Sequence, residues 1–168
     1  MKLIDCFMYF DEDVVLDMRL NILNKIVDKF VIVESKKDHA GNSKKLNFEF
    51  NKFNKFKDKI KYLVVEDLPF KKKLFSYSWR NKDSWLRENF QRNYLFEGFK
   101  EDDDNDLVMI SDIDEIPNPE KVDKFDKNKK YACFIQKNFQ TKINLINSSQ
   151  PNWEGTRICV KKYLKSPQ

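Results

Sequence analysis

The segment from Leu107 to Pro117 constrains the fold of this chain more than any other. The run LVMIS leads directly into Asp112, Asp114 and Glu115, and a proline follows two residues after the glutamate. Such an apolar run is typical of a strand that is buried on both faces, and the proline prevents the strand from continuing. The sequence therefore places a group of carboxylates immediately after the end of a buried strand.

Apolar segments that end near acidic residues recur along the chain and indicate its fold class. Strands are predicted at 3–9, 30–33, 60–65, 107–111, 131–136, 139–146 and 157–160, and helices at 14–27, 46–56, 83–99 and 119–125. The alternation over the first two thirds indicates an α/β fold with a mostly parallel sheet between two helical layers. The final third is rich in strands, and its first two strands have the spacing of a hairpin. With 168 residues, we expect a single domain over 1–168.

The composition argues against several classes of protein. The 32 basic and 27 acidic residues are interleaved along the chain, so the net charge of +5 does not form the basic stripe of a nucleic-acid-binding protein. The chain has 3 glycines and no G-x-G array, which excludes the dinucleotide-binding fingerprint and the Walker loop. Any diphosphate must therefore be held by a metal ion and by cationic side chains.

Cysteine usage and the amino terminus lead to an expectation about location. Cys6, Cys133 and Cys159 are too few and too far apart for a zinc site, and we expect buried free thiols, which suit a reducing compartment. No segment resembles a signal peptide or reaches the roughly 20 apolar residues of a membrane span. These observations predict a cytoplasmic protein.

The two aspartates at the strand end predict a metal site. In a turn, Asp112 and Asp114 can direct their oxygens at one divalent cation, and hard oxygen ligands suit Mg²⁺ or Mn²⁺. Such a cation would stabilise the charge that develops on the β-phosphate when a sugar leaves a nucleoside diphosphate. This chemistry predicts a nucleotide-sugar glycosyltransferase, although a loop of solvated acids has the same sequence pattern.

Several segments, in sequence order, resemble glycosyltransferase family 17, which includes the β-1,4-N-acetylglucosaminyltransferase that adds the bisecting residue to N-glycans. The similar segments are Phe10-x-Glu12, Arg19-Leu20, residues 27–35, Gly41 with Lys44, Arg87-Glu88 with Arg92-Asn93, residues 111–117 and Trp153-x-Gly155-Thr156. The resemblance implies a GT-A-like fold, a UDP-sugar donor carrying N-acetylglucosamine, a Mn²⁺ or Mg²⁺ ion, and inversion at the anomeric carbon. The acceptor would be a glycan or a lipid-linked saccharide.

The resemblance also implies roles for individual residues. Asp112 and Asp114 would be ligands of the metal ion and the diphosphate, with Glu115 close by as a candidate catalytic residue. The residues expected near the donor are Arg87, Glu88, Arg92, Glu12 and Glu34. Glu154 is the candidate base for the acceptor hydroxyl, because it is the only late acid in a promising context. Family members continue with further motifs, so the resemblance implies a member that lacks the family's C-terminal part.

Other interpretations remain open at this point. In a phosphohydrolase of the haloacid-dehalogenase type, Asp112 would be a nucleophile, although that family places the motif near the amino terminus. A non-enzymatic binding domain, or an inactive glycosyltransferase-like domain, is a further alternative. The loop at 36–45, with His39, could carry function, although solvation alone accounts for its composition, and the cluster Lys71-Lys72-Lys73 is predicted to be a solvated turn that could also neutralise an anionic substrate.

Overall fold

The computed structural model describes residues 1–69, 80–140 and 144–168, which fold around a six-stranded sheet. In chain order, the elements are β1 (Leu3–Met8), α1 (Asp13–Leu23), β2 (Lys29–Ser35), a 3-10 helix (Phe50–Phe56), β3 (Ile60–Val65), α2 (Arg80–Tyr94), a second 3-10 helix (Leu95–Gly98), β4 (Leu107–Ser111), α3 (Pro119–Val122), β5 (Tyr131–Lys137), β6 (Asn152–Val160) and a third 3-10 helix (Lys161–Tyr163). Within these ranges, no helix is long and apolar enough to cross a bilayer.

The sheet has the strand order β3-β2-β1-β4-β6-β5. The first four strands in this order are parallel, whereas β6 is antiparallel to β4 and β5 is antiparallel to β6. The predicted α/β class with a mostly parallel sheet is therefore confirmed. From β1 the chain builds outward through β2 and β3, and then returns to place β4 on the other side of β1. The junction of β1 and β4 is thus a topological switch point, the place where open α/β sheets bind ligands.

Two hydrophobic cores cover the two faces of the sheet. On β1, Leu3 and Phe7 face one core, whereas Ile4 and Cys6 face the other, as the alternation of side chains along a strand requires. The first core includes the buried side of α1 and the first 3-10 helix, and the second includes the start of the second 3-10 helix. Burial on both faces explains the apolar runs of β2 and β4, whereas β1 carries one buried charge, Asp5, within its apolar sequence.

Helix α1 buries a narrower stripe than the sequence predicts. Its two apolar rows indicate a helix covered on much of its circumference, but only the row that includes Leu16, Leu20 and Leu23 is buried. Met18 and Ile22 of the other row are exposed. The expectation of wide burial is wrong, because the helix packs against a single sheet face and a single face covers only one stripe of a helix. The helix also ends at Leu23, four residues earlier than predicted.

The amphipathic helix predicted at 46–56 is replaced by a shorter 3-10 helix. The first residues of this segment are irregular, and the 3-10 helix covers only Phe50–Phe56. Phe50, Phe53 and Phe56 recur every three residues, which is the period of a 3-10 helix, and the last two lie in the first core. The aromatic spacing therefore selects the tighter helix.

The last third of the chain differs from the prediction in its pairing. The predicted hairpin of 131–136 with 139–146 is wrong, because β5 pairs with β6, and Phe139 forms only an isolated bridge with Ile146. The strand predicted at 157–160 starts five residues earlier, and this longer strand offers β5 a partner over most of its length. Residues 141–143, within the predicted strand, and the predicted solvated turn at residues 71–73 lie outside the described residues.

All three cysteines are free thiols, as predicted, but not all are buried. Cys6 and Cys159 are buried, whereas Cys133 is exposed on the edge strand β5. Burial raises the pKa of the Cys159 thiol to about 11, so little thiolate forms there at neutral pH. The buried thiols therefore serve as packing groups.

Candidate functional site

A cavity of about 390 Å³ opens at the junction of β1 and β4. The end of β1 contributes Met8, Tyr9 and Phe10 to its lining, and the turn after β4 contributes Asp112 and Asp114. Both aspartate side chains are exposed, although the strand that precedes them is buried. The two aspartates thus share one cavity with the end of a neighbouring parallel strand, at the switch point of the sheet.

The 36–45 loop, which follows β2, and helix α2 form further parts of the cavity wall. Lys37, Asp38, His39 and Lys44 of the loop line the cavity, together with Gln91 of α2. The His39 Nε2 and Gln91 Oε1 atoms lie 3.0 Å apart, so the loop and the helix are in direct contact. The loop, for which the sequence leaves both solvation and function open, is therefore part of the cavity wall.

Arg87, predicted near the donor, contacts the backbone of this loop. Its guanidinium NH1 donates a hydrogen bond to the His39 carbonyl at 2.9 Å, and the residue is buried. Gly41 makes this approach feasible, because its φ is +96° and a Cβ atom at this position would lie 3.1 Å from the Arg87 Cζ. Arg87 does not line the cavity, and it holds in place the loop that does.

Arg92 joins two other predicted site residues. Its NH2 group donates to Asp112 Oδ1 at 2.9 Å and to Glu88 Oε1 at 3.1 Å. The Arg92 side chain is only 16% exposed, compared with 52% for that of Asp112. The guanidinium is therefore packed against α2 and reaches the exposed carboxylate of the turn after β4. Three of the residues named from the sequence thus form one connected group.

Glu115 closes the turn that carries the aspartates. Its Oε2 accepts a hydrogen bond from the Asp112 amide at 3.1 Å, and its Oε1 accepts one from the Trp153 indole at 2.5 Å. The Glu115 carbonyl accepts a further bond from the Thr156 hydroxyl at 2.5 Å. With both carboxylate oxygens occupied and no position in the cavity lining, Glu115 is placed as a residue that positions Asp112.

The buried guanidinium of Arg19 binds the backbone of the same turn. It forms an ion pair with Asp5 in which both side chains are 0% exposed, with distances of 2.8 Å from Nε and 2.7 Å from NH2. NH1 donates to the carbonyls of Asp112 at 2.9 Å and Ile113 at 3.0 Å, and NH2 donates to the Ser111 hydroxyl at 2.7 Å. One side chain of α1 therefore fixes the backbone of the turn on which the two aspartates stand.

Glu34, at the end of β2, is fully buried and bonded on both oxygens. Oε1 accepts from the Lys44 ammonium and from the Asn47 amide, the latter at 2.8 Å. Oε2 accepts from the Phe48 amide at 3.1 Å and from the Tyr62 hydroxyl at 2.8 Å. Burial and this hydrogen bond raise the pKa of Tyr62. Glu34 lies at the predicted strand end, but its placement is that of an anchor for the segment after the 36–45 loop.

The two remaining predicted residues lie on opposite sides of the turn. Glu12 lines the cavity, and its Oε2 accepts from the amides of Phe10 at 2.9 Å and Asp11 at 3.1 Å. Glu154 is an exposed residue of β6 opposite Ile135 in β5. It is not among the residues that line the described cavity. The structure therefore brings Glu12 to the candidate site and leaves Glu154 on the strand beside it.

The donor set at the turn fits a hard divalent cation that the protein ligates only in part. Asp112 and Asp114 supply carboxylate oxygens. Among the residues that the structure describes, no group of three or more His, Cys, Asp or Glu side chains could hold a metal by itself. A zinc site usually takes three or four protein ligands, so the turn does not fit one. Mg²⁺ and Mn²⁺ accept one or two carboxylates completed by waters and substrate phosphates, which the turn does fit.

Sequence analysis missed the roles of Arg19 and of the 36–45 loop. For Arg19 a signal existed, because it lies on the same face of α1 as Leu16 and Leu23, and a charge within a buried stripe needs a partner. For the loop the signal was weaker. It follows the end of a buried strand, and Gly41 with Lys44 is one of the segments that resemble the family, but neither feature assigns His39 to the cavity.

Comparison with known proteins gives one match. A family model described as glycosyltransferase family 17 matches residues 1–144. This range includes β1 to β5, the cavity, Arg19 and the turn that carries the two aspartates, and it ends before β6. No curated protein and no solved structure matches the chain at the level of significance required.

Proposed function

The chain belongs to glycosyltransferase family 17, and from this we propose that it is a metal-dependent, inverting glycosyltransferase with a GT-A-like fold. The donor is a UDP-sugar that carries N-acetylglucosamine, and the acceptor is a glycan or a lipid-linked saccharide. The observation that carries the proposal is the cavity at the switch point of the sheet, which Asp112 and Asp114 share with the end of β1. Nucleotides bind at this position in open α/β sheets.

Of the residues that the structure describes, two lysines line the cavity, and their partners indicate which one is available to a diphosphate. Lys44 is paired with Glu34, whose side chain is 0% exposed, so withdrawal of Lys44 would leave a buried charge unpaired. Lys37 is paired with Asp67, whose side chain is 72% exposed. Exposed ion pairs contribute only about 0–1 kcal/mol, so Lys37 can exchange its partner for a phosphate at little cost. We assign Lys37 to the diphosphate and Lys44 to the structure of the loop.

A cationic side chain of the protein, Arg92, lies where it can stabilise the negative charge of the leaving UDP. Arg92 lies beside Asp112, held there by Glu88 of the same helix. Asp112 and Asp114 would hold the divalent cation, which supplies Lewis-acid neutralisation of the diphosphate. Groups that are already oriented need no reorganisation as charge develops, which is why such a preorganised site lowers the barrier to departure.

Inversion requires the acceptor hydroxyl to attack the anomeric carbon as UDP leaves from the opposite side, and the hydroxyl proton passes to a base. Glu154 stays the predicted base, because it stands on β6 next to the turn. Glu115 acts instead as a positioning residue, because its oxygens are bonded to the Asp112 amide and the Trp153 indole. If Glu154→Gln left turnover unchanged while the donor still bound, the assignment of the base would be wrong.

A thermal-shift screen of nucleotides with and without Mn²⁺ tests the donor. At a ligand concentration of 100 times Kd, UDP with Mn²⁺ should raise the melting temperature by about 5–10 °C, and UDP-N-acetylglucosamine should do the same. Asp112→Asn should abolish this shift, whereas Asp123→Asn, at an exposed position after α3, should retain it. The reaction is then followed by mass spectrometry of released UDP and of glycosylated acceptors. If no nucleotide or nucleotide sugar stabilised the protein in the presence of Mn²⁺, the proposal would fail.

A further inference from the structure

Strand β6 extends past the end of its partner β4, beside the turn that carries the aspartates. The two strands pair from Leu107 with Val160 to Ile110 with Arg157. Toward its amino end, β6 continues to Asn152, and β5 is its one partner there within the described part of the chain. We name residues 135–137 and 152–155 the β5–β6 extension. Because β6 is antiparallel to β4, this extension stands at the carboxyl end of β4, where the Asp112 turn lies.

The side chain of Trp153 connects the β5–β6 extension to the turn. Its indole N–H donates to Glu115 Oε1 at 2.5 Å, and Glu115 Oε2 accepts from the Asp112 amide at 3.1 Å. Only one side chain therefore separates the indole from the backbone of a proposed metal ligand. The residue is nevertheless 43% exposed, so its ring is oriented by the protein and still open to solvent. With the N–H already bonded, what the ring offers to a ligand is its apolar face.

The strand order places this ring on the side of the turn that faces away from β1. The cavity lies toward β1, on one side of β4, and β6 lies on the other side. A donor with its diphosphate at Asp112 and Asp114 occupies the cavity side. The group that attacks the donor sugar must approach from a different direction, and the β5–β6 extension borders that approach.

The chemistry of the β5–β6 extension selects a carbohydrate over an apolar ligand. Gln136 pairs with Trp153 across the two strands and lies on the same face as the ring, whereas Asn152, Glu154 and Lys137 alternate to the opposite face. A pyranose ring has an apolar C–H face that packs on an aromatic ring, and its hydroxyls bond to polar groups at the edge. Binding sites for small polar molecules combine aromatic surface with a few placed polar groups in this way.

We propose that Trp153, with Gln136 beside it on the same face of the β5–β6 extension, forms the acceptor subsite, in which a pyranose ring of the acceptor saccharide packs on the Trp153 indole. The subsite rests on the proposed function, because its position is defined relative to a donor at Asp112 and Asp114. It adds to that function a specific residue that contacts the acceptor.

Binding of the full chain to a glycan microarray, in the presence of UDP and Mn²⁺, tests the subsite with a matched pair of variants. Trp153→Leu and Trp153→Phe both remove the N–H that binds Glu115, so they disturb the turn alike, but only phenylalanine retains an aromatic face. We expect leucine to weaken binding to the preferred glycan by about tenfold and phenylalanine to weaken it by about threefold or less. Trp85→Leu, at a 60% exposed tryptophan of α2, is the control and should bind as the wild type does.

The outcomes separate the subsite from the donor site. Equal losses in the leucine and phenylalanine variants would show that Trp153 acts only through Glu115, and would overturn the subsite. Undiminished binding in both variants, or a wild type that responds to UDP and Mn²⁺ but binds no glycan, would overturn it as well. If the wild type gave no thermal response to UDP and Mn²⁺, the proposed function would fail, and the subsite with it.

Discussion

The Arg19 guanidinium is a costly group for a small α/β domain to bury. Removing two charges from water costs several kcal/mol per ion, and the attraction between Arg19 and Asp5 offsets this only because their hydrogen bonds are well formed. The same guanidinium also binds the carbonyls of the turn that carries Asp112. Its retention is explained by this second task, because an apolar pair could fill the space and leave the turn unsupported.

Replacement of Arg19 should lower the free energy of unfolding and also weaken the response to UDP and Mn²⁺, and the two effects can be separated. Arg19→Met leaves Asp5 buried without a partner, so we expect the free energy of unfolding to fall by about 3–5 kcal/mol, measured by chemical denaturation. The double variant Asp5→Leu with Arg19→Met removes the unpaired charge and should recover much of this loss, but should not recover the response to UDP and Mn²⁺. Lys25→Met, on the exposed surface, is the control, with an expected change below about 0.5 kcal/mol. Equal stability of Arg19→Met and the wild type would contradict the assignment.

Lys37 and Lys36 offer a comparison of neighbouring charges. Both pair with exposed acids, Asp67 and Glu66 respectively, but only Lys37 lines the cavity. Lys37→Gln should raise the Kd for UDP in the presence of Mn²⁺ by about tenfold, as expected for the loss of one charge-assisted hydrogen bond worth about 1.5 kcal/mol. Lys36→Gln should leave it within about twofold, because long-range effects of exposed charges are screened by salt. Titration calorimetry measures both. Equal effects of the two substitutions would show that Lys37 does not contact the diphosphate.

Among the elements, the 36–45 loop depends on internal hydrogen bonds that involve a carboxylate. Asp38 accepts from the Asn42 amide at 2.8 Å and from the Asn42 side chain at 3.0 Å. The bond from the Asn42 side chain is the main cause that lowers the pKa of Asp38 below its ordinary value. A lowered pKa means that the ionised form stabilises the folded loop. This contribution is present above the ordinary pKa of about 3.9 and is lost as the pH falls through the lower pKa of the folded state.

The loop should therefore loosen in acid, and Asn42→Ala should remove much of this pH dependence. In an NMR titration of the wild type, we expect Asp38 to have a pKa below the ordinary value of about 3.9. In Asn42→Ala that pKa should rise toward about 3.9, because the side-chain donor is lost. The Gly41 amide donates to the Asp38 carbonyl. At a given pH, hydrogen exchange at this amide should be faster in Asn42→Ala than in the wild type. An Asp38 pKa that does not change on substitution would contradict this account.

The elements that could be predicted from sequence are those whose signal is local. The run from Leu107 to Ile110 predicts β4, and the acids and Pro117 predict where it ends, because these effects need no knowledge of the rest of the chain. The position of the 36–45 loop was not predictable, since it depends on contacts such as that between Arg87 and the His39 carbonyl, 48 residues apart in sequence. The pairing of β5 was missed for the same reason. Its partner β6 starts 15 residues after β5 ends, beyond the nearer segment that formed the expected hairpin.

At the scale of the whole molecule, the parts of the site lie on three consecutive strands of the sheet, β1, β4 and β6. The cavity lies at β1, the turn with Asp112 and Asp114 follows β4, and the exposed ring of Trp153 stands on β6. The parallel half of the sheet thus carries the proposed donor site, and the antiparallel strands β5 and β6 carry the proposed acceptor subsite. A transferase needs its two substrates to meet at one point. In this arrangement the meeting point is the turn that Arg19 and Glu115 hold.

The central claim is that Asp112 and Asp114 together bind a divalent cation in the presence of the donor nucleotide. Electron paramagnetic resonance of free Mn²⁺ during a titration with protein and UDP measures this binding directly. We expect the signal of free Mn²⁺ to fall with one site per chain when UDP is present. The Asp112→Asn, Asp114→Asn double variant should leave the signal unchanged, and Asp123→Asn should behave as the wild type does. Equal binding of Mn²⁺ by the wild type and the double variant would contradict it.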